Sequence, residues 1–344
     1  MFAVAAAALV AANRASADGW RIASPLDIPE TRTYIDIEGG AEWQSLPTWT
    51  LGNHPGTTTP YYSYNATATG PAGGFALGYR PPGGWMGLGH NERVEVSGDF
   101  FGLDDRTNRG LGPVNVNDLW NPVGGGGALL TGGVFSASTN TQQYGGELAL
   151  RLATDIDLSP GFAVTPAVAI FGGLARRTVD YSDLQQCSFV PGTVCFDDQV
   201  NEALDTRQIG LGVSAGSRYM LGGGFAFLAG GGAALVGTRS SLHASDCFDE
   251  NSAVAGCQPL AAIPNSETSA KRGRTDIGAR LEGQLGIRYI LAGNATIDLL
   301  GGLRFDSAVP SIRNPTSATQ TVSLGSSGQL GETVMLRASF PLGR

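Results

Sequence analysis

Between Asp276 and Tyr289 the chain separates into two edges. Ile277, Ala279, Leu281, Gly283, Leu285, Ile287 and Tyr289 form one, and Asp276, Gly278, Arg280, Glu282, Gln284, Gly286 and Arg288 the other. Side chains alternating with a period of two leave a pleated backbone on opposite faces, whereas a helix would mix the two sets around its circumference. The stretch therefore predicts a β-strand. Strands of soluble proteins usually run about 5 or 6 residues, while one that crosses a bilayer at a tilt needs about 9 to 11. A long strand with one apolar and one charged edge suits a wall between lipid and an aqueous lumen.

The alternation recurs along the chain. Ile35, Ile37, Ala41 and Trp43 oppose Asp36, Glu38, Glu42 and Gln44. Phe75, Leu77 and Tyr79 oppose Ala76, Gly78 and Arg80; Val94, Val96 and Phe100 oppose Glu95, Ser97 and Asp99; and Leu148, Leu150 and Leu152 oppose Glu147, Ala149 and Arg151. Further strands are predicted over 161–178, around Ile209–Tyr219 with Arg218 on the polar edge, and over 225–236. Beyond Tyr289, Ile297, Leu299, Leu303 and Phe305 face away from Asp298, Arg304 and Asp306, and Val334, Leu336, Ala338 and Phe340 from Arg337.

The connections alternate as well. DLSPGF at 157–162, LGGGF at 221–225 and LAGNA at 291–295 are tight, whereas 46–72, 103–143, 179–203, 241–272 and 307–325 are long and polar. Short turns on one side and long loops on the other characterise an outer-membrane barrel. The fold class expected is all-β: a single antiparallel transmembrane β-barrel of ten strands over residues 34–344, in the outer membrane of a Gram-negative bacterium. Twelve strands is the alternative, because ALLTGGVFSAS in the second long connection offers another pair. A soluble lipocalin-like barrel would also alternate, but it needs neither regular long-short connections nor Gly and Ala on both edges.

Composition agrees with this reading. The 344 residues are 42% hydrophobic and 15% charged, with 51 glycines and a formal charge of −8. Such a chain is turn-rich, not built of long helices, and its acidic balance offers no basic patch for nucleic acid. The apolar run Phe2–Ala12, followed by Ala15-Ser16-Ala17, has the form of a signal peptide over residues 1–17, although it lacks a basic leading segment. Residues 18–33 are then expected to be a periplasmic N-terminal segment. The remaining apolar runs are too short for a membrane helix, so the crossing must be made by strands. Four cysteines fall in CSFVPGTVC and CFDENSAVAGC. Neither pair has the spacing of a metal site, and His54, His90 and His243 are scattered, so two local disulfides, Cys187–Cys195 and Cys247–Cys257, are expected in long loops.

The last strand carries a resemblance. Gln329-Leu330-Gly331-Glu332-Thr333-Val334-Met335-Leu336 resembles the β-signal by which outer-membrane proteins are recognised for insertion, except that Pro341, Leu342, Gly343 and Arg344 follow the aromatic Phe340. It implies the barrel-assembly machinery as a partner, besides outer-membrane lipids. Residues 207–242, RQIGLGVSAGSRYMLGGGFAFLAGGGAALVGTRSSL, resemble the strand-turn-strand core of the pore-forming major outer membrane proteins of Gram-negative bacteria.

If the polar edges face inward, the lumen is lined by Asp36, Glu38, Glu42, Arg80, Glu95, Asp99, Glu147, Arg151, Arg218, Arg280, Glu282, Arg288, Asp298, Arg304, Asp306 and Arg337. Arginine at the bilayer midplane costs about 2–4 kcal/mol, which keeps these groups off the lipid face. Two functions follow. The first expectation is that Arg280, Arg288, Arg304 and Arg337, facing Asp36, Glu38 and Glu42 across water, make a narrow pore for small polar solutes or ions, with a transverse field and weak ion preference. Alternatively, the charges pair and fill the lumen, leaving a closed scaffold that works through its loops. A third class is a rim hydrolase using Asp104-Asp105 with His243, Ser245 and Asp246. Their spacing is common at any solvated rim, so no catalytic residue is assigned. No nucleotide fingerprint, phosphate loop or metal constellation is present, and no cofactor is expected.

Overall fold

The structure, a computed structural model, describes residues 22, 23, 25, 33–51, 59, 60, 62–81, 90–117, 131–186, 194–249, 267–314 and 321–342. The expected signal peptide lies outside them. In chain order the strands are β1 (Thr33–Ser45), β2 (Trp49–Leu51), β3 (Tyr62–Tyr64), β4 (Thr67–Tyr79), β5 (His90–Asn117), β6 (Thr131–Ser159), β7 (Phe162–Gln186), β8 (Val194–Gly222), β9 (Phe225–Asp249), β10 (Glu267–Ile290), β11 (Thr296–Arg313) and β12 (Ser323–Leu342). Ten of them close a barrel in which each strand runs antiparallel to its neighbours. β1 seals the seam between β4 and β12, and β2 and β3 form a separate hairpin. The alternative of twelve wall strands is thereby set aside: the described part of ALLTGGVFSAS, from Thr131 on, is the start of β6.

One rim has tight turns made by residues that tolerate a left-handed backbone. Gly161, Gly222, Gly223, Gly224, Gly293 and Asn294 all have positive φ. The opposite rim differs from expectation. Much of 103–143, 179–203 and 241–272, read as loop, continues as strand, so that β5 to β10 run 24–29 residues. At about 3.3 Å per residue these strands rise far past a bilayer. Beyond the lipid the outer edge meets water and turns polar, while the inner edge carries buried apolar residues such as Val179, Tyr181, Val200, Leu204 and Leu242 in one cluster with the hairpin, so the apolar-outside pattern that marks a lipid-facing strand is lost. For the same reason Cys195 and Cys247 lie in β8 and β9, not in loops. Cys187 and Cys257 lie outside the described residues, as do the side chains of the other two cysteines.

The outer surface is apolar in a band. Every wall strand exposes large hydrophobic side chains, among them Ile37, Leu77, Val96, Leu148, Ile170, Leu211, Leu235, Leu299 and Leu336, with Ile277 81% exposed. Tyr79, Tyr219, Phe225, Tyr289 and Phe340 border the band near the tight turns, and Trp43, Tyr144 and Phe305 border it on the other side. Exposed apolar surface on this scale requires lipid, and aromatic girdles mark its two interfaces. This is a transmembrane barrel of the outer-membrane type, with its tight turns toward the periplasm.

Candidate functional site

Since alternate residues of each wall strand point inward, the interior collects the residues predicted for it. Asp36, Glu38 and Glu42 lie on the inner edge of β1; Arg80 just beyond β4; Glu95 and Asp99 on β5; Glu147 and Arg151 on β6. Arg218 lies on β8, Arg280, Glu282 and Arg288 on β10, Asp298, Arg304 and Asp306 on β11, and Arg337 on β12. They are not arranged as opposed basic and acidic walls. Strand register sets most charges beside an opposite charge: Glu38 is level with Arg337, Glu95 with Arg151, Arg280 with Asp306, and Arg288 with Asp298. The transverse field expected of a pore is therefore largely cancelled by local pairing.

Near the periplasmic end the central group is Arg93, fully buried, donating to Glu95 at 2.7 Å and Asp155 at 2.8 Å. Arg151 donates to the other oxygen of Glu95 at 2.7 Å, Tyr34 donates its phenol to Glu95, and Thr165 donates to Asp155 at 2.7 Å. Arg80 reaches the same group through Asn91, which bonds Asp155 and occupies a left-handed conformation at a register shift of β5. Nearby, Arg288 grips Asp298 with two parallel bonds of 2.8 Å, and Arg337 holds Glu38 at 2.8 Å. Such bidentate, charge-assisted bonds are what keeps buried ions tolerable.

Higher in the lumen a second network crosses the barrel. Arg280 on β10 bonds Asp306 on the adjacent strand at 2.8 Å and Glu147 on distant β6 at 3.0 Å, with its guanidinium 5.1 Å from the centre of the Phe171 ring. Arg304 continues it to Asp306 at 3.0 Å and Glu42 at 3.6 Å, and Gln143 bridges to Gln44 at 2.8 Å. Voids of about 80 and 70 Å³ lie beside these networks, room for a few waters each.

Both ends are obstructed by chain that is not wall. Residues 22, 23 and 25 belong to the segment expected to lie in the periplasm, yet Ile22 and Ala23 are buried. Ala23 clusters with the inward Ala153 and Ala167, Ile22 lies against Gly230 on the inner edge of β9, and the Pro25 carbonyl accepts a 2.7 Å bond from Arg288. This corrects the expected position of those residues. The physical reason is local: small alanines and a glycine leave room inside the wall, and Arg288 has donors to spare after Asp298.

At the far end the β2–β3 hairpin folds inward. Trp49, Leu51, Tyr62 and Tyr64 are nearly inaccessible. The rings of Trp49, Tyr62 and the inward Tyr181 of β7 meet at 5.1–6.0 Å, separations at which edge-on and tilted aromatic contacts are favourable. Trp49 donates its indole N–H to Glu202 at 2.5 Å, Tyr62 shares a 2.7 Å bond with Thr139, Tyr64 donates to Asp105 at 2.6 Å, and Arg109 donates to the Ser63 carbonyl. Burial raises the Tyr62 phenol above its usual pKa, and burial together with the Asp105 carboxylate raises that of Tyr64.

Of the rim residues considered for hydrolysis, Asp104 lies on the outer edge of β5, whereas Asp105 accepts a bond from the hairpin. His243 is exposed on the outer edge of β9, which is not a neighbour of β5. Sequence reasoning missed Arg93, Asp155, Glu202 and the aromatic cap. Arg93 and Asp155 were within reach, since both extend the polar edge of a recognised strand by a step or two. Nothing in the alternation marks Trp49 or Tyr62, because their partners come from other strands.

No protein-family model matches this sequence, and no curated protein matches it. Among solved structures, the outer membrane protease OmpT from Escherichia coli is 11% identical, with a TM-score of 0.44 over 94% of this chain and 99% of that one. A Pseudomonas aeruginosa FadL homologue is 10% identical, with a TM-score of 0.27 over 91% of each chain. The transport unit of the Escherichia coli autotransporter AIDA-I is 7% identical, with a TM-score of 0.31 over 92% of this chain and 93% of that one. At such values no residue, substrate or activity transfers from any of them to this chain.

Proposed function

We propose that this protein is a closed outer-membrane scaffold, whose filled lumen stiffens a barrel that carries its strands and loops well outside the cell, and that it acts through that outer surface. The observation that carries this reading is the aromatic cap: Trp49, Tyr62 and Tyr181 occupy the lumen above the salt-bridge network, with Trp49 fastened to Glu202. A channel for polar solutes needs a continuous wet path, and the aromatic cap and the cross-lumen ion pairs stand across it.

A narrow gated pore, in keeping with the resemblance of residues 207–242 to the major outer membrane proteins, is the second reading. It is favoured by the fact that both obstructions come from segments outside the wall. Planar-bilayer recording separates the two. The wild-type protein is expected to be silent, and discrete conductance from it would overturn the closed reading. Replacing Trp49 and Tyr62 by Ala and finding conductance only in that variant would establish the gated pore; silence from both, with heat-modifiable migration retained, leaves the scaffold.

A further inference from the structure

Where β7, β8 and β9 leave the apolar band, their outer edges turn basic together. Arg176 follows Leu174 by two residues on β7, Arg207 precedes Ile209 by two on β8, and Arg239 follows Leu235 by four on β9, with Gly237 between. Register places Arg207 directly opposite Arg239 and Arg176 opposite Asp205. Arg176 has that carboxylate at 3.7 Å, both side chains being nearly half exposed. Neither Arg207 nor Arg239 has a carboxylate partner among the described residues. Like charges directly opposed across two strands repel, and three guanidiniums share one carboxylate here, so the pair lacks an anion.

The surface beneath is low. Gly146, Gly172 and Gly237 stand on the outer edges at this level, and a Cβ on any of them would meet nothing closer than 3.5 Å. Leu174, Ile209 and Leu235 rise around them. A concavity lined by Tyr144, Arg176, Asp205, Arg207, Arg239 and Ser241 opens directly above. The site thus has an apolar groove on the membrane side and a guanidinium cluster at the height of headgroups.

We propose that this surface binds a phosphorylated glycolipid of the outer leaflet. Its phosphate is held between Arg207 and Arg239, and an acyl chain lies in the groove floored by glycine. Arginine suits the task because its planar fork donates two parallel bonds to a phosphate and stays charged at every working pH. Asp205 keeps Arg176 turned toward β8, and Ser241 and Tyr144 offer hydroxyls to the sugar.

The test is native mass spectrometry of the full-length folded barrel, released from micelles containing bisphosphorylated lipid A. The wild-type protein should retain a lipid that Arg207→Ala with Arg239→Ala loses at least tenfold. Arg207→Lys with Arg239→Lys should be intermediate, and Arg106→Ala, exposed on β5 and outside the cluster, should match wild type. Heat-modifiable migration confirms that each variant is folded. Equal retention by the double-alanine variant would overturn the proposal, as would equal retention of dephosphorylated lipid A. Complete displacement by millimolar inorganic phosphate would show a free-anion site in place of a lipid site and would also overturn it.

Discussion

Arg93 sits between Glu95 and Asp155 without access to water. An ion in that position is stable only with its partners, so removing one side leaves carboxylates stranded. Arg93→Met should destabilise the folded barrel by about 3–5 kcal/mol, the usual cost of breaking a buried pair from one side. Urea unfolding in lipid vesicles checks this, and a loss below 1 kcal/mol would show that water reaches the cluster. Arg280 makes a comparable cross-lumen link to Glu147, and a charge-reversing Arg280→Glu should be worse still, because it places a third carboxylate beside Glu147 and Asp306. The inward identity of Arg280 was legible from alternation alone, since no charge of this kind can face lipid, whereas Arg93 lies one step beyond the polar edge that was read. Their partners were legible only within neighbouring strands. Glu38 with Arg337 follows from seam closure, whereas Arg280 with Glu147 depends on barrel diameter, which no local pattern encodes.

At the scale of elements, the hairpin and the N-terminal strap hold by different means. The hairpin is docked through phenols that must stay protonated: a Tyr64 anion would face Asp105, and a Tyr62 anion would be buried. Both groups have folded pKa values raised above the unfolded value of about 10. Their contribution is therefore complete below that pH and is lost as pH rises through the folded pKa values. Fluorescence of Trp49, in a variant with the other four tryptophans replaced by Phe, should shift toward the solvent-exposed maximum as the pH is raised above about 10. A spectrum that is flat to the onset of global unfolding would contradict this docking. The strap is held by packing and one carbonyl, so Ala23→Cys with Ala167→Cys should cross-link on oxidation, while either cysteine alone should not; failure of the pair would place the strap elsewhere. Neither element carries a sequence signature. Alternation reports which wall edge meets lipid, and these segments meet only protein. The extended outer halves of β5 to β10 were hidden for the related reason that their outer edge meets water while their inner edge packs around the hairpin, which inverts the contrast of a lipid-facing strand.

For the molecule as a whole, ten strands set a diameter that side chains and two short segments can fill. Stability therefore resides in the interior as much as in the wall. The seam between β1 and β12 is tied by Glu38 and Arg337. A double-mutant cycle of Glu38→Gln and Arg337→Gln should return a coupling of about 0.5–3 kcal/mol, the range for residues in one network. A coupling near zero would mean that backbone pairing alone seals the barrel. The strap precedes β1 in the chain and the hairpin follows it, one at each end of the same strand. Whatever carries β1 into place against β12 thus delivers a stopper to each mouth in the same movement. On the closed reading proposed above, assembly and sealing are then one event, and a membrane receiving this barrel is not exposed to a leak while it folds.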